Sequence, residues 1–254
     1  MATIGAETAL HLSWKHALWG GGVAITLVGV ALWPTALGLA KTLNGIEAYT
    51  HGWLVFPMLV YLLGWHCRAD LSSQQPKESL LGFVFAVAAV IGWSAADILG
   101  INVGREFALV LVFHAIVLSA VGWQIYKKFF WFLALLFFLV PNGDFVQPIL
   151  RLLTVKFIDT FANVAGLPHS IDGFFITIGK VRYFVLDACS GLAHFNLMLF
   201  LGYCFGLMLF RSIFKVAAVA LFAGALGVLS NGIRVNSIVL IDWIQGSQMD
   251  LAAH

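Results

Sequence analysis

The chain has 254 residues, of which 61% are hydrophobic and 10% are charged, and its formal net charge is +2. Soluble domains carry about 25% charged residues, and several apolar runs here exceed the roughly 18 residues that a bilayer span needs. This composition excludes an ordinary soluble domain, and the small, scattered charge gives no reason to expect nucleic-acid binding. The sequence predicts an all-α membrane protein, a polytopic transmembrane helical bundle of about seven spans that forms a single domain over residues 1–254.

The predicted spans of the N-terminal half are separated by short polar loops. The first apolar run lacks the short core and small-residue cleavage site of a secretory signal, so we expect it to be retained as a span. Proline removes a helical hydrogen bond, which predicts a kink near Pro34. The five predicted spans are residues 17–40, 52–65, 78–99, 105–126 and 129–140.

The segment that follows has a different pattern. Residues 147–166 carry charges among apolar residues at helical spacing, which predicts an amphipathic helix at the outer interface. Residues 174–178 and 181–185 are β-branched and aromatic, and Gly179 lies in the two-residue connection, so a small β-hairpin is expected. The sixth and seventh spans are predicted at residues 188–210 and 216–241.

Cys189 stands where the hairpin meets the sixth apolar run. This position predicts a thiol in the first turn of a membrane helix, where free N–H groups and the helix dipole favour the nucleophilic thiolate. Arg234 lies in a block, residues 231–235, that closes another apolar run, and a guanidinium at the end of a membrane span is a functional candidate by default because it is costly unless it is paired or hydrated. It could stabilise the thiolate or an oxyanion, or it could be an interfacial anchor that snorkels to water.

Three sequence blocks together resemble the exosortase/archaeosortase family. They are Asp-Ala-Cys-Ser-Gly-Leu at residues 187–192, Asn-Gly-Ile-Arg-Val at 231–235 and Thr-His-Gly-Trp-Leu-Val-Phe-Pro at 50–57. The resemblance extends over residues 49–254 and implies a membrane cysteine protease or transpeptidase. Its expected substrates are secreted proteins with a C-terminal Pro-Glu-Pro-type sorting tail, cleaved through a thioester in bacteria that produce exopolysaccharide. It implies no cofactor.

The resemblance also implies roles for individual residues. Cys189 would be the nucleophile and Arg234 its basic partner, followed in the family by a histidine on the same side. His254 occupies that place as the last residue, whereas family members usually continue further, so a longer chain or the alternative His51 is expected. Supporting roles fall to three further residues: Asp187 in place of the family's usual Glu, Ser190 as a helix cap or thiolate partner, and Asn231.

The basic residues of the short loops predict the orientation of the chain. With a cytoplasmic N-terminus, the inner loops hold most of these residues, as the positive-inside rule requires; they are Lys15, Arg68, Lys77, Lys127, Lys128, Arg211 and Lys215. The same count of spans puts Cys189, Arg234, His51 and His254 together on the outer, periplasmic face of the inner membrane.

A transporter or channel subunit is the alternative function, because it too would combine many spans with rare ionisable residues. Asp97 and His114 are its nearest candidates. Cys67 and Cys204 are expected to be packed small residues, and the absence of a Cys-x-x-C pattern predicts no metal site. His194 is expected to pack in the bundle, and His169 is expected to be solvated in an outer loop.

Overall fold

The computed structural model describes residues 2–179 and 181–245, so His254 lies outside the described residues. The chain divides into two compact units. The first contains the residues up to Gly45 and Gly52–Pro141, and the second contains Ile46–His51 and the chain from Asn142 onward. The prediction of a single transmembrane domain is not tested by this division and stays a prediction.

The first unit is built from seven helices. They are α1 (Ala2–Ala31), α2 (Trp33–Gly45), α3 (Val55–Tyr61), α4 (Arg68–Ser72), α5 (Leu80–Ile98), α6 (Asn102–Val121) and α7 (Trp123–Leu133). α1 and α2 meet at an angle of 83° across a break at Leu32. Pro34, two residues on, cannot donate a main-chain hydrogen bond. The predicted kink is therefore confirmed.

Two predicted spans of this unit are broken into short pieces. The second contains the end of a 3-10 helix, Glu47–Leu54, then the seven residues of α3 and a π-helical turn, Leu62–His66. Pro57 is tolerated in α3 because it lies in the first helical turn. In the fifth, α7 passes into a 3-10 helix, Ala134–Leu139. Val140 is extended because the following Pro141 disfavours helical backbone.

Four helices in the described part of the chain are long and apolar enough to cross a membrane, namely α5, α6 and the two C-terminal helices, or five if α1 and α2 form one bent span. The protein is thus a helical membrane protein. The count of about seven spans is not confirmed by these helices and stays a prediction.

The second unit places a small sheet between helices. α8 (Gln147–Val164) is followed by β1 (His169–Asp172), β2 (Phe175–Ile178) and β3 (Val181–Phe184), and then by α9 (Leu192–Leu209) and α10 (Ile213–Gln245). The strands pair antiparallel in the order β1-β2-β3. Ile178 opposite Val181 closes the predicted hairpin. β1 was not predicted, because its residues show no alternating apolar face.

One face of the sheet packs against α8 and α10. The resulting core combines apolar residues of both helices with the inward residues of the strands and with the cysteine; its members are Val155, Ile158, Ile176, Ile178, Tyr183, Val185, Cys189, Val235 and Val239. Successive strand residues point to opposite faces, so Ile176 and Ile178 are buried while Thr177 between them points away. The sheet thereby fixes the chain that leads to Cys189.

Close packing of α9 and α10 brings the sequence blocks at residues 187–192 and 231–235 together. An added Cβ at Gly206 would lie 3.0 Å from the Cα of Val216, and one at Gly227 would meet the main chain of His194. These glycines allow an antiparallel approach of the two backbones, as small residues do in membrane bundles. The start of α9 therefore lies beside the second half of α10, where Asn231 and Arg234 are found.

Candidate active site

Cys189 lies in a 3-10 turn, Asp187–Ser190, between β3 and α9. Its side chain is buried, with 4% of its surface exposed, and its N–H donates to the carbonyl of Leu186 at 3.0 Å. α9 begins only at Leu192. The prediction that the cysteine occupies the first turn of a membrane helix is therefore wrong, because a separate turn holds it ahead of that helix.

Gly191 separates the cysteine turn from α9. Its φ of +84° lies in the left-handed region, which glycine adopts without steric cost. A Cβ at this position would lie 2.7–2.8 Å from three side-chain atoms of Asn231. Glycine is required here for two reasons: the backbone changes direction in the left-handed region, and it lies too close to Asn231 of α10 for a Cβ.

Two buried side chains hold the carbonyl groups of the turn. Nδ2 of Asn231 donates to the carbonyl oxygen of Cys189 at 3.1 Å and lies 3.3 Å from Oγ1 of Thr154. That hydroxyl in turn lies 3.4 Å from the carbonyl oxygen of Cys189 and 3.3 Å from that of Ser190. The backbone around the thiol is thus fixed from α8 on one side and α10 on the other.

Arg234 is on α10, three residues after Asn231. Burial raises the pKa of the Cys189 thiol, and the Arg234 guanidinium opposes this by lowering it, as does Arg151 to a smaller extent. Burial has the larger effect, so the net pKa is raised and the thiol is the resting form. This corrects the expectation of a thiolate stabilised by a helix N-terminus, because the cysteine is desolvated and lies outside the helix.

Asp187 forms an ion pair that the sequence did not predict. Its Oδ1 accepts a hydrogen bond from Nη1 of Arg151 at 2.8 Å, so its contact is with α8 and not with the dipole of α9. Arg151 and Thr154 were both missed as site residues. Their spacing of three residues places them on one helix face, and a threonine at a buried position of an amphipathic helix was the available signal.

Ser190 and the histidines are placed as follows. Oγ of Ser190 accepts a long hydrogen bond, 3.4 Å, from the N–H of Leu192, but the N-cap position of α9 is held by Gly191, so the role of Ser190 as a helix cap or a thiolate partner stays a prediction. His51 is buried and its ring lies 5.9 Å from that of Phe200. Phe200 is eight residues, about 12 Å of helix, beyond the start of α9. The choice between His51 and His254 therefore stays open.

The comparison with protein families decides the identity of the fold. The family model described as transmembrane exosortase (Exosortase_EpsH) matches residues 43–254. The chain belongs to the transmembrane exosortase family. The match contains the cysteine turn, the Asn231–Arg234 stretch of α10 and the His51 segment, so the predicted resemblance is confirmed. No curated protein and no solved structure matches the chain.

The residues that motivated a transporter have local partners in the first unit. Oδ1 of Asp97 pairs with Nη1 of Arg105 at 2.7 Å on an exposed surface. His114 shares a hydrogen bond of 3.0 Å with the hydroxyl of Tyr126 and stacks on Phe137. Among residues 2–179 and 181–245 there is also no group of three metal-ligating side chains. The transporter alternative is not favoured.

Proposed function

We propose that the protein is a membrane-embedded cysteine protease or transpeptidase that cleaves the C-terminal sorting tail of secreted proteins through a thioester. The observation that carries the proposal is the meeting of two motif blocks. Arg234 acts electrostatically on the Cys189 thiol, and Asn231, one helical turn away, is hydrogen-bonded to the carbonyl of the same cysteine. A cysteine with a cation beside it is a typical arrangement for nucleophilic catalysis.

In the proposed reaction the Cys189 thiol gives its proton to the imidazole of His254 or His51, and the sulfur attacks a substrate carbonyl. The S–C bond forms, and the negative charge on the carbonyl oxygen is stabilised by Arg234. The C–N bond then breaks, and the leaving amine takes a proton from His254 or His51, since an imidazole can supply one near neutral pH. An acceptor nucleophile or water finally attacks the thioester and gives its proton to the same imidazole; the S–C bond breaks, and the released sulfur takes that proton back as the thiol.

The length of α10 supports a site at the membrane surface. Its 33 residues extend about 50 Å, whereas the apolar core of a bilayer is about 30 Å thick. The C-terminal part of the helix carries Val235 and Val239, which pack in the same core as Ile176 and Ile178 of the sheet. In our proposal this end, with Cys189, lies at the periplasmic face of the inner membrane.

A substrate that is itself anchored by a membrane helix suits such a position. The sorting tail of Pro-Glu-Pro type includes a membrane span, so it can diffuse laterally to the cysteine turn without a soluble cleft. We therefore propose tail-bearing secreted proteins and the lipid bilayer as the partners, and a role in protein sorting alongside exopolysaccharide production.

The test is cleavage of a co-expressed tail substrate by Cys189→Ser. Serine is nearly the same size, but its much higher pKa makes it a poor nucleophile without a strong base. Cys204→Ser is the matched control, because Cys204 is buried within α9 away from the turn. We expect the first variant to accumulate normally and leave the tail intact, and the control to cleave it. Wild-type cleavage by Cys189→Ser would refute the proposal.

A further inference from the structure

Arg151 of α8 contacts both ends of the short segment that leads into the cysteine turn. Its Nε donates to the carbonyl oxygen of Val185 at 2.6 Å. Its Nη1 donates to Oδ1 of Asp187 at 2.8 Å. One planar side chain therefore holds a main-chain carbonyl four residues before Cys189 and a carboxylate two residues before it.

The guanidinium is itself fixed in place. Its Cζ lies 3.8 Å from the centroid of the Phe174 ring and 5.0 Å from that of Phe184. Only 14% of the Arg151 side-chain surface is exposed. Cation–π contacts are strongest where the cation is desolvated, so the two rings restrict the plane in which the donors point.

α8 reaches the other side of the cysteine through Thr154. Its hydroxyl lies near the carbonyl oxygens of Cys189 and Ser190. The same helix thus contacts the chain before the nucleophile through Arg151 and at the nucleophile through Thr154. A displacement of about 1 Å at a reacting atom can cost about a hundredfold in rate. The contacts of Arg151 and Thr154, which hold the chain around Cys189, should therefore affect the rate of catalysis.

We propose that Arg151 is a positioning residue that holds the Cys189 turn in its reactive geometry through its contacts to Val185 and Asp187. The inference rests on the proposed function of Cys189. It assigns Arg151 a role separate from that of Arg234, because Arg151 acts through the backbone and the Asp187 carboxylate. Lysine cannot replace it, since a single ammonium lacks the planar pair of donors.

The experiment compares Arg151→Met and Arg151→Lys with the control Arg182→Met. Arg182 makes the same kind of cation–π contact, with its Cζ 4.3 Å from the centroid of Phe175, but this contact joins β3 to β2 and not to the cysteine turn. Two rates are measured in membranes, with Cys67 and Cys204 replaced by serine. They are tail cleavage and, as a function of pH, alkylation of Cys189 by a small neutral reagent.

We expect Arg151→Met to reduce cleavage at least about tenfold. It should also move the alkylation midpoint to higher pH, because the Arg151 charge, which lowers the pKa of the Cys189 thiol, is lost. Arg151→Lys should keep the midpoint near that of the wild type and still lose cleavage. Arg182→Met should leave both rates unchanged. Wild-type cleavage by Arg151→Met or by Arg151→Lys would overturn the proposal.

Asp187→Ala decides the case if Arg151→Met does not accumulate in the membrane. It removes the acceptor of Nη1 while Nε can still reach Val185. Cleavage should fall while the alkylation midpoint does not rise, because a negative charge near the thiol is removed; unchanged cleavage would contradict the proposal. Alkylation needs no substrate. If the wild-type protein cleaves no tail, the proposed function fails, whereas the alkylation profiles still show whether Arg151 acts on Cys189.

Discussion

The side-chain amide of Asn231 donates a hydrogen bond of 3.1 Å to the carbonyl oxygen of Cys189, 42 residues earlier in the chain. The donor is buried, and Oδ1 of the same amide has no hydrogen-bond partner in the described part of the chain. A buried acceptor without a partner costs about 1–3 kcal/mol. The useful group of the Asn231 amide is therefore its N–H donor, because this donor links α10 to the cysteine turn.

Replacing Asn231 with aspartate tests this link. Asn231→Asp keeps the shape but exchanges the donor for an oxygen that faces the carbonyl of Cys189, so the turn should be pushed away. We expect the free energy of unfolding, measured by thermal unfolding, to fall by about 1–3 kcal/mol. Tail cleavage should fall at least about tenfold. Asn236→Asp is the control, because Asn236 is on the same helix as Asn231 but its amide contacts the carbonyl of Phe157 on α8 and not the cysteine turn. Equal cleavage by the two variants would contradict a specific role.

Gly191→Ala should separate backbone strain from close packing. The methyl group would meet the Asn231 side chain, and the backbone at φ +84° disfavours a residue with a Cβ. Gly173→Ala is the control, since Gly173 has φ +61° with nothing within 4 Å of an added Cβ. In the control, backbone strain alone should lower the free energy of unfolding by about 1 kcal/mol. Gly191→Ala should lose more and also cleave poorly, as measured by thermal unfolding and tail processing.

Arg234→Lys distinguishes an oxyanion donor from an interfacial anchor. Lysine keeps the charge but loses the planar donors. Loss of one oxyanion donor typically costs about a hundredfold to a thousandfold in rate, so cleavage should fall by that order while the substrate still co-purifies. Arg211→Lys, just after α9, is the control. If lysine supports normal cleavage at 234, Arg234 is an anchor that snorkels to water.

His169 should make the stability of the sheet dependent on pH. Its Nδ1 faces the carbonyl oxygen of Leu167 and its Nε2 faces Oδ1 of Asp159, each at 2.9 Å. Both neighbours are acceptors, so the imidazolium is favoured, and the pKa of His169 is raised, first by the Leu167 carbonyl and then by Asp159. The histidine predicted to be solvated in a loop is instead half-buried at the start of β1.

The sign of the effect follows from the raised pKa. The stabilisation is fully present below the unfolded value of about 6.5 and is lost as the pH rises through the folded pKa. The melting temperature of the wild-type protein should therefore fall more between pH 6 and pH 9 than that of His169→Gln. Asp159→Asn should reduce the difference in the same way. An identical pH dependence in the wild type and His169→Gln would rule out this linkage.

The features that the sequence predicted correctly depend on short stretches of chain. The apolar runs identify a membrane protein because a bilayer span needs only local composition. The hairpin around Gly179 follows from turn chemistry, and the kink near Pro34 follows from a missing N–H group. The motif blocks around Cys189 and Arg234 indicate the family even when the distance between them in the folded protein is unknown.

Only the tertiary structure decided how these parts are arranged around the thiol. Apolar composition alone does not distinguish a spanning helix from short helical pieces such as α3, since the same types of apolar residue make up both. The environment of Cys189 is made by Thr154 and Arg151 of α8 and by Asn231 of α10, which are distant in sequence. Their roles depend on backbone approach at Gly191 and on burial, and both are properties of packing that no local pattern encodes.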